Sequence, residues 1–193
     1  MSQSITDLSS EDLHRIFEKI GRNLNHPSRL VLIGSSVGML HGQPSRMTED
    51  VDVWSPSSVM DYADMKEACE KAGVLFDPKD ACDGAYLQLV QPGIVQIGNY
   101  RKDGEIRISV YGNLEVAHPP VENVVASKLL RAEERDIQDV MFLMKKFAVR
   151  KEDVERALDS FPEHRAETAR ENLVYLDIAM EVWEEGKASG CHP

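Results

Sequence analysis

Residues 30–54 constrain this chain most. An apolar run, Leu30-Val31-Leu32-Ile33, stops at Gly34-Ser35, and a second short run, Asp50-Val51-Asp52-Val53-Trp54, follows a polar loop. Short β-branched runs bounded by glycine and polar turns read as strands. Residues 36–42 between them suit one short helix, ended by Gly42-Gln43-Pro44. Strand side chains alternate faces, so Asp50 and Asp52 point the same way, about 6–7 Å apart. Val51, Val53 and Trp54 are left to supply buried apolar contacts. Two like charges at that separation repel by about 2 kcal/mol at an effective dielectric of ~20. A divalent cation offsets that repulsion, and hard carboxylate oxygens suit magnesium. Asp-Val-Asp alone also describes an ordinary wet strand face, and Gly-Ser alone an ordinary turn. Their combination in this order reads as a metal and phosphate site.

Composition narrows the partners. The chain has 193 residues and 42% hydrophobic content, enough for one domain, or one domain with a helical appendage. It holds no apolar run of about 18 residues, so no membrane span is expected, and its polar start lacks a secretory pattern. Cys69, Cys82 and Cys191 are widely spaced. They fit neither a disulfide framework nor a zinc site and point to a reducing, cytoplasmic location. A net charge of -11 opposes an extended nucleic-acid surface, because phosphate-backbone affinity comes from lysine and arginine. A local basic pocket and a basic partner protein stay compatible.

Along the chain, residues 9–24 predict a capped helix with Leu13, Ile16, Phe17 and Ile20 inward. Ser58–Ala72 predicts a second, with Met60, Ala63, Met65, Ala68 and Cys69 at helical spacing and Gly73 as its C-cap. Between Gly84 and Val110 the period approaches two, predicting strands around residues 86–90, 94–97 and 106–110, with Asp103-Gly104 as a hairpin turn. From Val121 the pattern is helical to Gly186, broken at Phe161-Pro162. The expectation is an α+β fold: a small mixed sheet with flanking helices over residues 1–118, then a C-terminal helical bundle over residues 119–193 packed on that core. Leu173, Leu176, Ile178, Met180 and Trp183 suggest a packed last helix, and the final residues suggest a frayed end. The six histidines show no metal-ligand spacing, and Asp77, Asp80 and Asp83 read as a solvated loop.

A second constellation lies in residues 121–147. On one continuous helix, Lys128, Arg131, Arg135 and Asp139 form a stripe, with Asp136 at its edge and Val125, Leu129, Ala132, Ile137, Val140 and Leu143 opposite. A solvated stripe of ion pairs worth about 0.3–0.5 kcal/mol each is the plain alternative. A break near Ala132 would make two helices and turn Asp136 toward the site.

Taken together, Gly34-Ser35 after a strand, Arg46-x-Thr48-x-Asp50-x-Asp52, Ala126-x-Lys128-Leu129 and Arg135-Asp136-x-x-Asp139-Val140 resemble the nucleotidyltransferase superfamily. Within it, the similarity is to the toxins of abortive-infection and toxin–antitoxin systems (AbiEii-like). The resemblance implies a polymerase-beta-like fold with a helical C-terminal part. It also implies Mg2+-dependent transfer of a nucleoside monophosphate from a nucleoside triphosphate (NTP) to a hydroxyl of RNA or protein, with an antitoxin partner in the toxin branch. On this chain, Gly34 and Ser35 would contact phosphate, helped by Ser36 and Arg46. Asp50 and Asp52 would hold the metal, and Lys128 would neutralise the triphosphate. Asp139, or else Asp136, would position the acceptor or act as base. Many relatives carry a third acid on a later strand; alignment of apolar positions puts Ser109 there, and Glu105 lies roughly 13 Å along that strand. This departure leaves open a degenerate, non-catalytic nucleotide-binding or protein-interaction module.

Overall fold

The computed structural model describes residues 7–80 and 83–188. Cys82, Cys191, His192 and the end expected to fray lie outside the described residues, as do the side chains of Met180 and Trp183. The chain divides into two compact units: residues up to 95 with 101–120, and residues 96–100 with 121 onward. The architecture is mixed α+β, with small three-stranded sheets and flanking helices.

In the first unit, α1 (Ser10–Asn23) starts where Ser9 and Asp12 cap each other reciprocally, Asp12 N donating to Ser9 Oγ at 3.2 Å and Ser9 N to Asp12 Oδ2 at 3.0 Å. Such a box satisfies two of the amides a helix start leaves orphaned. Leu13, Phe17 and Ile20 are its fully buried side chains. The other elements are β1 (Ser28–Val31), α2 (Ser35–Leu40), β2 (Asp50–Trp54), α3 (Tyr62–Ala72), β3 (Leu75–Phe76), β4 (Tyr86–Val90), β5 (Ile106–Tyr111) and β6 (Leu114–His118). One sheet has the order β1-β6-β5, the other β2-β4-β3. An antiparallel bridge, Leu32 to Val53, joins β1 to β2 just beyond the regular pairing. Val51, Val53 and Leu87 face the core with no exposure, while Asp50, Asp52, Tyr86 and Gln88 on the opposite face are half-buried. The alternation sorts one face of β2 and β4 into core and the other into polar chemistry.

The second unit holds α4 (Val121–Leu129), α5 (Glu134–Phe147), α6 (Lys151–Leu158) and α7 (Glu163–Ala188). Ala166, Ala169, Leu173 and Leu176 form the buried stripe of α7 at three- and four-residue steps. Ile178, expected to pack with them, is 55% exposed. Two residues on from Leu176, it is turned about 200° around the helix. Residues 96–100 are held by Asn123 Nδ2 donating to the Ile97 carbonyl at 2.8 Å and Asn99 N donating to Ser160 Oγ at 2.8 Å.

Several expectations are corrected. Asp103-Gly104 is no hairpin turn but the end of one 3-10 turn, Lys102–Gly104, before β5. The hairpin joins β5 to β6, with Asn113 N donating to Gly21 O at 3.1 Å. The strand β6, Leu-Glu-Val-Ala-His, stands where the sequence pattern shows only the approach to a helix. Residues 94–97 form no named strand, only the single bridge of Pro92 to Val95. The second predicted helix begins at Tyr62 rather than Ser58, because Val59 pairs with Arg29 in extended form and Asp61 supplies the cap. Of the two readings of residues 121–147, the break near Ala132 is the one observed: Ala132 has φ 49°, which ends α4 and starts α5 afresh.

A buried histidine, His118, paired with the half-buried His41 at the end of α2, makes this unit acid-sensitive. His118 is fully buried, its Nδ1 is 2.6 Å from the Pro119 carbonyl, and its Nε2 is 2.9 Å from His41 Nε2. A carbonyl only accepts, so His118 carries its proton on Nδ1 and accepts from His41 at Nε2. Burial, then the neighbouring His41, lowers its pKa from 6.5 to about 4. The unfolded chain therefore binds this proton as pH falls below 6.5, while the folded chain resists it until about 4. Stability from this group is complete above 6.5 and declines on acidification across that window, by about 3 kcal/mol in total. Urea unfolding at stepped pH values is expected to show that slope in the native chain and a flatter one in His118→Gln.

Candidate active site

The first unit brings Gly34, Ser35, Asp50 and Asp52 into one cluster. The chain leaves β1 through Leu32 and Ile33, and Ile33 N donates to the Asp52 carbonyl at 3.0 Å. Gly34 follows at φ 74°, ψ -151°, a backbone region effectively reserved for glycine. A Cβ at Gly34 would lie 2.7 Å from Asp52 Oδ2. The turn and the Asp52 carboxylate are thus in direct contact, and the missing side chain is the space the carboxylate uses. Ser35, first residue of α2, donates from Oγ to Thr48 Oγ1 at 2.8 Å. Thr48 Oγ1 in turn lies 3.1 Å from the Asp50 carbonyl and 3.4 Å from its Oδ1. Tyr86 on β4 donates to Asp50 Oδ2 at 3.4 Å. Two hydroxyls therefore frame Asp50, and a glycine frames Asp52.

Ser36 and Arg46 stand differently. Ser36 is buried and donates inward to the Ile33 carbonyl at 3.1 Å, so its hydroxyl closes the turn. Arg46 is half-buried, with Nη1 on the Met47 carbonyl at 2.5 Å.

Ser109 does not neighbour the acids. It lies on β5, whose partner is β6, whereas the strand paired with β2 is β4. There the register sets Tyr86 opposite Asp50 and Gln88 opposite Asp52. Gln88 Nε2 donates to Asp77 Oδ1 at 2.8 Å, and Leu89 N donates to the same oxygen at 3.2 Å. Asp77, expected in a solvated loop, is half-buried with φ 49°. Tyr86, Gln88 and Asp77 escape a sequence reading focused on charged motifs. The signal available for the first two is their two-residue spacing on a strand opposite the acids.

In the second unit, the end of α4 and the start of α5 enclose a balanced charge cluster. Lys128 Nζ donates to Asp139 Oδ2 at 2.7 Å and to Asp136 Oδ1 at 3.4 Å. Arg131 grips Asp136 with both arms, Nε to Oδ2 at 2.6 Å and Nη2 to Oδ1 at 2.9 Å. Lys128 is 7% exposed, Asp136 1% and Asp139 0%. This is no solvated stripe. The break at Ala132 folds Lys128 and Arg131 over the first turn of α5 and leaves Arg135 exposed. Asn172 Nδ2 satisfies the Leu129 carbonyl that the broken helix frees, at 2.7 Å. Burial by itself raises the Asp136 pKa; the Arg131 hydrogen bonds and the Lys128 and Arg131 charges outweigh it, so the carboxyl stays below its ordinary value.

Among the described residues, no group of three or more histidine, cysteine, aspartate or glutamate side chains converges as a metal cage. His14 meets the Tyr111 hydroxyl at 2.6 Å, and His26 meets Asp64 at 3.2 Å. Cys69 is core, its thiol pushed up to about 12 by burial. Asp50 and Asp52 supply two hard donors on one strand face. That set could hold a magnesium ion.

The α+β fold and the order of these motifs agree with the nucleotidyltransferase class expected from the sequence. The chain belongs to the family described as nucleotidyltransferase of unknown function (DUF6036), whose model matches residues 11–160. That match reaches the superfamily and not the AbiEii-like branch. No curated protein and no solved structure matches the chain.

Proposed function

We propose that this protein is a magnesium-dependent nucleotidyltransferase that moves a nucleoside monophosphate from an NTP to a hydroxyl of RNA or protein. The observation that carries this reading is the contact between the Gly34 turn and Asp52, the point where the phosphate-type loop and the acidic strand become one cluster. Gly34 and Ser35 offer backbone amides to phosphate oxygens, while the Ser35 hydroxyl is held on Thr48. Asp50 and Asp52 hold the metal, with Asp50 oriented by Thr48 and Tyr86. A bound magnesium ion polarises the phosphoryl oxygens and steadies the attacking and leaving oxygens of an in-line displacement. The acceptor hydroxyl gives its proton to solvent as its oxygen bonds to the α-phosphorus, the bond to the β-phosphate oxygen breaks, and pyrophosphate leaves with the electron pair. In the second unit, Asp139 and Asp136 hold the Lys128 ammonium and Arg131 closes on Asp136, a buried cluster that fixes the break between α4 and α5.

The test is incubation of the full chain with labelled NTPs, magnesium, and total RNA or protein from a cell extract. Label transfer is expected, falling at least about a thousandfold in the Asp50→Ala/Asp52→Ala variant. Label on neither acceptor class, or transfer indifferent to both substitutions, contradicts the reading. Nucleotide binding without transfer would identify a non-catalytic module instead.

A further inference from the structure

The polar face of β2-β4-β3 continues past the two aspartates. Register places Gln88 opposite Asp52, about 4.8 Å away across the strand pair and on the same face. Beyond it, Asp77 follows β3, which pairs with β4 through Phe76 and Leu87. Asp52, Gln88 and Asp77 thus make a row across three strands, charged at both ends and neutral in the middle.

Asp77 fixes which way the neutral residue faces. An ionised carboxylate only accepts hydrogen bonds, so it draws the amide nitrogen of Gln88 and leaves Oε1 as the atom available to a ligand. Among the described residues, Gln88 Oε1 has no hydrogen-bond partner. Asp77 does this from a left-handed conformation, φ 49°, with its Oδ1 also taking Leu89 N. Non-glycine residues adopt that region at a cost, and asparagine and aspartate tolerate it best. A cross-strand brace alone does not require the left-handed turn, because a side chain on an extended strand reaches its neighbour unaided.

We propose that Gln88, held by Asp77, is a positioning residue of the acidic face, presenting a neutral carboxamide oxygen beside Asp52 so that the face takes one divalent cation. This rests on the metal role given to Asp50 and Asp52 under Proposed function. Glutamine carbonyls are acceptable oxygen donors for such ions, and the number of charged ligands tunes how tightly a site holds them. The two ligand carboxylates, Asp50 and Asp52, balance one divalent cation, while Asp77 is occupied by Gln88 and Leu89. A carboxylate at position 88 would leave a net negative charge and call for tighter or additional binding.

The test uses Mn2+ alone, titrated into the full chain and followed by the paramagnetic resonance of the free ion. Binding that survives in Asp50→Asn/Asp52→Asn is subtracted as nonspecific. The informative variant is Asp77→Asn/Gln88→Glu. An asparagine at position 77 keeps its Oδ1 for Leu89 N and offers its Nδ2 to the new carboxylate at position 88, so the brace persists while the neutral oxygen becomes charged. One Mn2+ per native chain is expected. The exchange variant should bind on the order of tenfold more tightly, or take a second ion, and Gln88→Leu should bind several-fold more weakly. Two or more subtractable ions on the native chain would overturn the inference while leaving the metal role of the aspartates standing. An exchange variant with altered melting temperature but native Mn2+ affinity would show Gln88 to be a brace only and overturn it likewise. Absence of any aspartate-dependent Mn2+ binding would overturn both the inference and the reading on which it rests.

Discussion

Replacing Lys128 by methionine should lower the unfolding free energy by about 3–5 kcal/mol, the range for removing one partner of a buried ion pair. The size follows from burial: Asp139 has no exposure and Asp136 has 1%. Methionine preserves much of the lysine stem, so the loss measures stranded charge rather than a cavity. Arg131 still holds both oxygens of Asp136, so Asp139 is the carboxylate that loses its ammonium contact. Lys128→Met/Asp139→Leu should therefore recover most of the loss, because buried pairs exchanged for apolar residues often come out neutral. Urea midpoints of the two variants decide it. A loss below about 1 kcal/mol for Lys128→Met would place the cluster with solvent-screened surface pairs.

Gly34→Ala should abolish nucleotide binding and reduce any transfer activity by at least about a hundredfold. Two effects combine. The glycine-only backbone imposes strain on the order of 1–3 kcal/mol, and the new Cβ would meet Asp52 Oδ2 at 2.7 Å, pushing aside a carboxylate assigned to the metal. Gly73→Ala separates them. Gly73 has φ 79°, yet a Cβ there meets nothing within 4 Å, so that variant carries backbone strain without a clash. It should lose stability and keep nucleotide affinity. Equal loss of affinity in both variants, measured by calorimetry with a non-hydrolysable triphosphate, would show that Gly34 acts only through the fold.

Local chemistry made much of the first unit legible. Strand alternation put Asp50 and Asp52 on one face, and the pattern ending at Ile33 located the turn. Leu13, Phe17 and Ile20 marked the buried face of α1. Tertiary context hid the rest. The strand Leu114–His118, between β1 and β5, has every residue but Glu115 buried, so it shows little of the alternation that betrays a half-exposed strand. The break at Ala132 could be weighed but not fixed from sequence, because no glycine or proline marks it and an alanine takes the left-handed position. That one residue re-phases α5 against α4, separating Arg135 from a stripe that helical spacing alone assembles. Gln88 was invisible for another reason: its meaning depends on the register between β2 and β4, which pairs residues 36 apart in sequence.

The central claim is that Asp50 and Asp52 hold a metal ion for a triphosphate seated on the Gly34-Ser35 turn. Crystals of the full chain soaked with Mn2+ and a non-hydrolysable NTP test it most directly through anomalous scattering. The expected result is an anomalous peak coordinated by both aspartates, with triphosphate oxygens on the ion and against Gly34 and Ser35. A triphosphate bound elsewhere, or no manganese at Asp50 and Asp52 in crystals that hold the nucleotide, would contradict it.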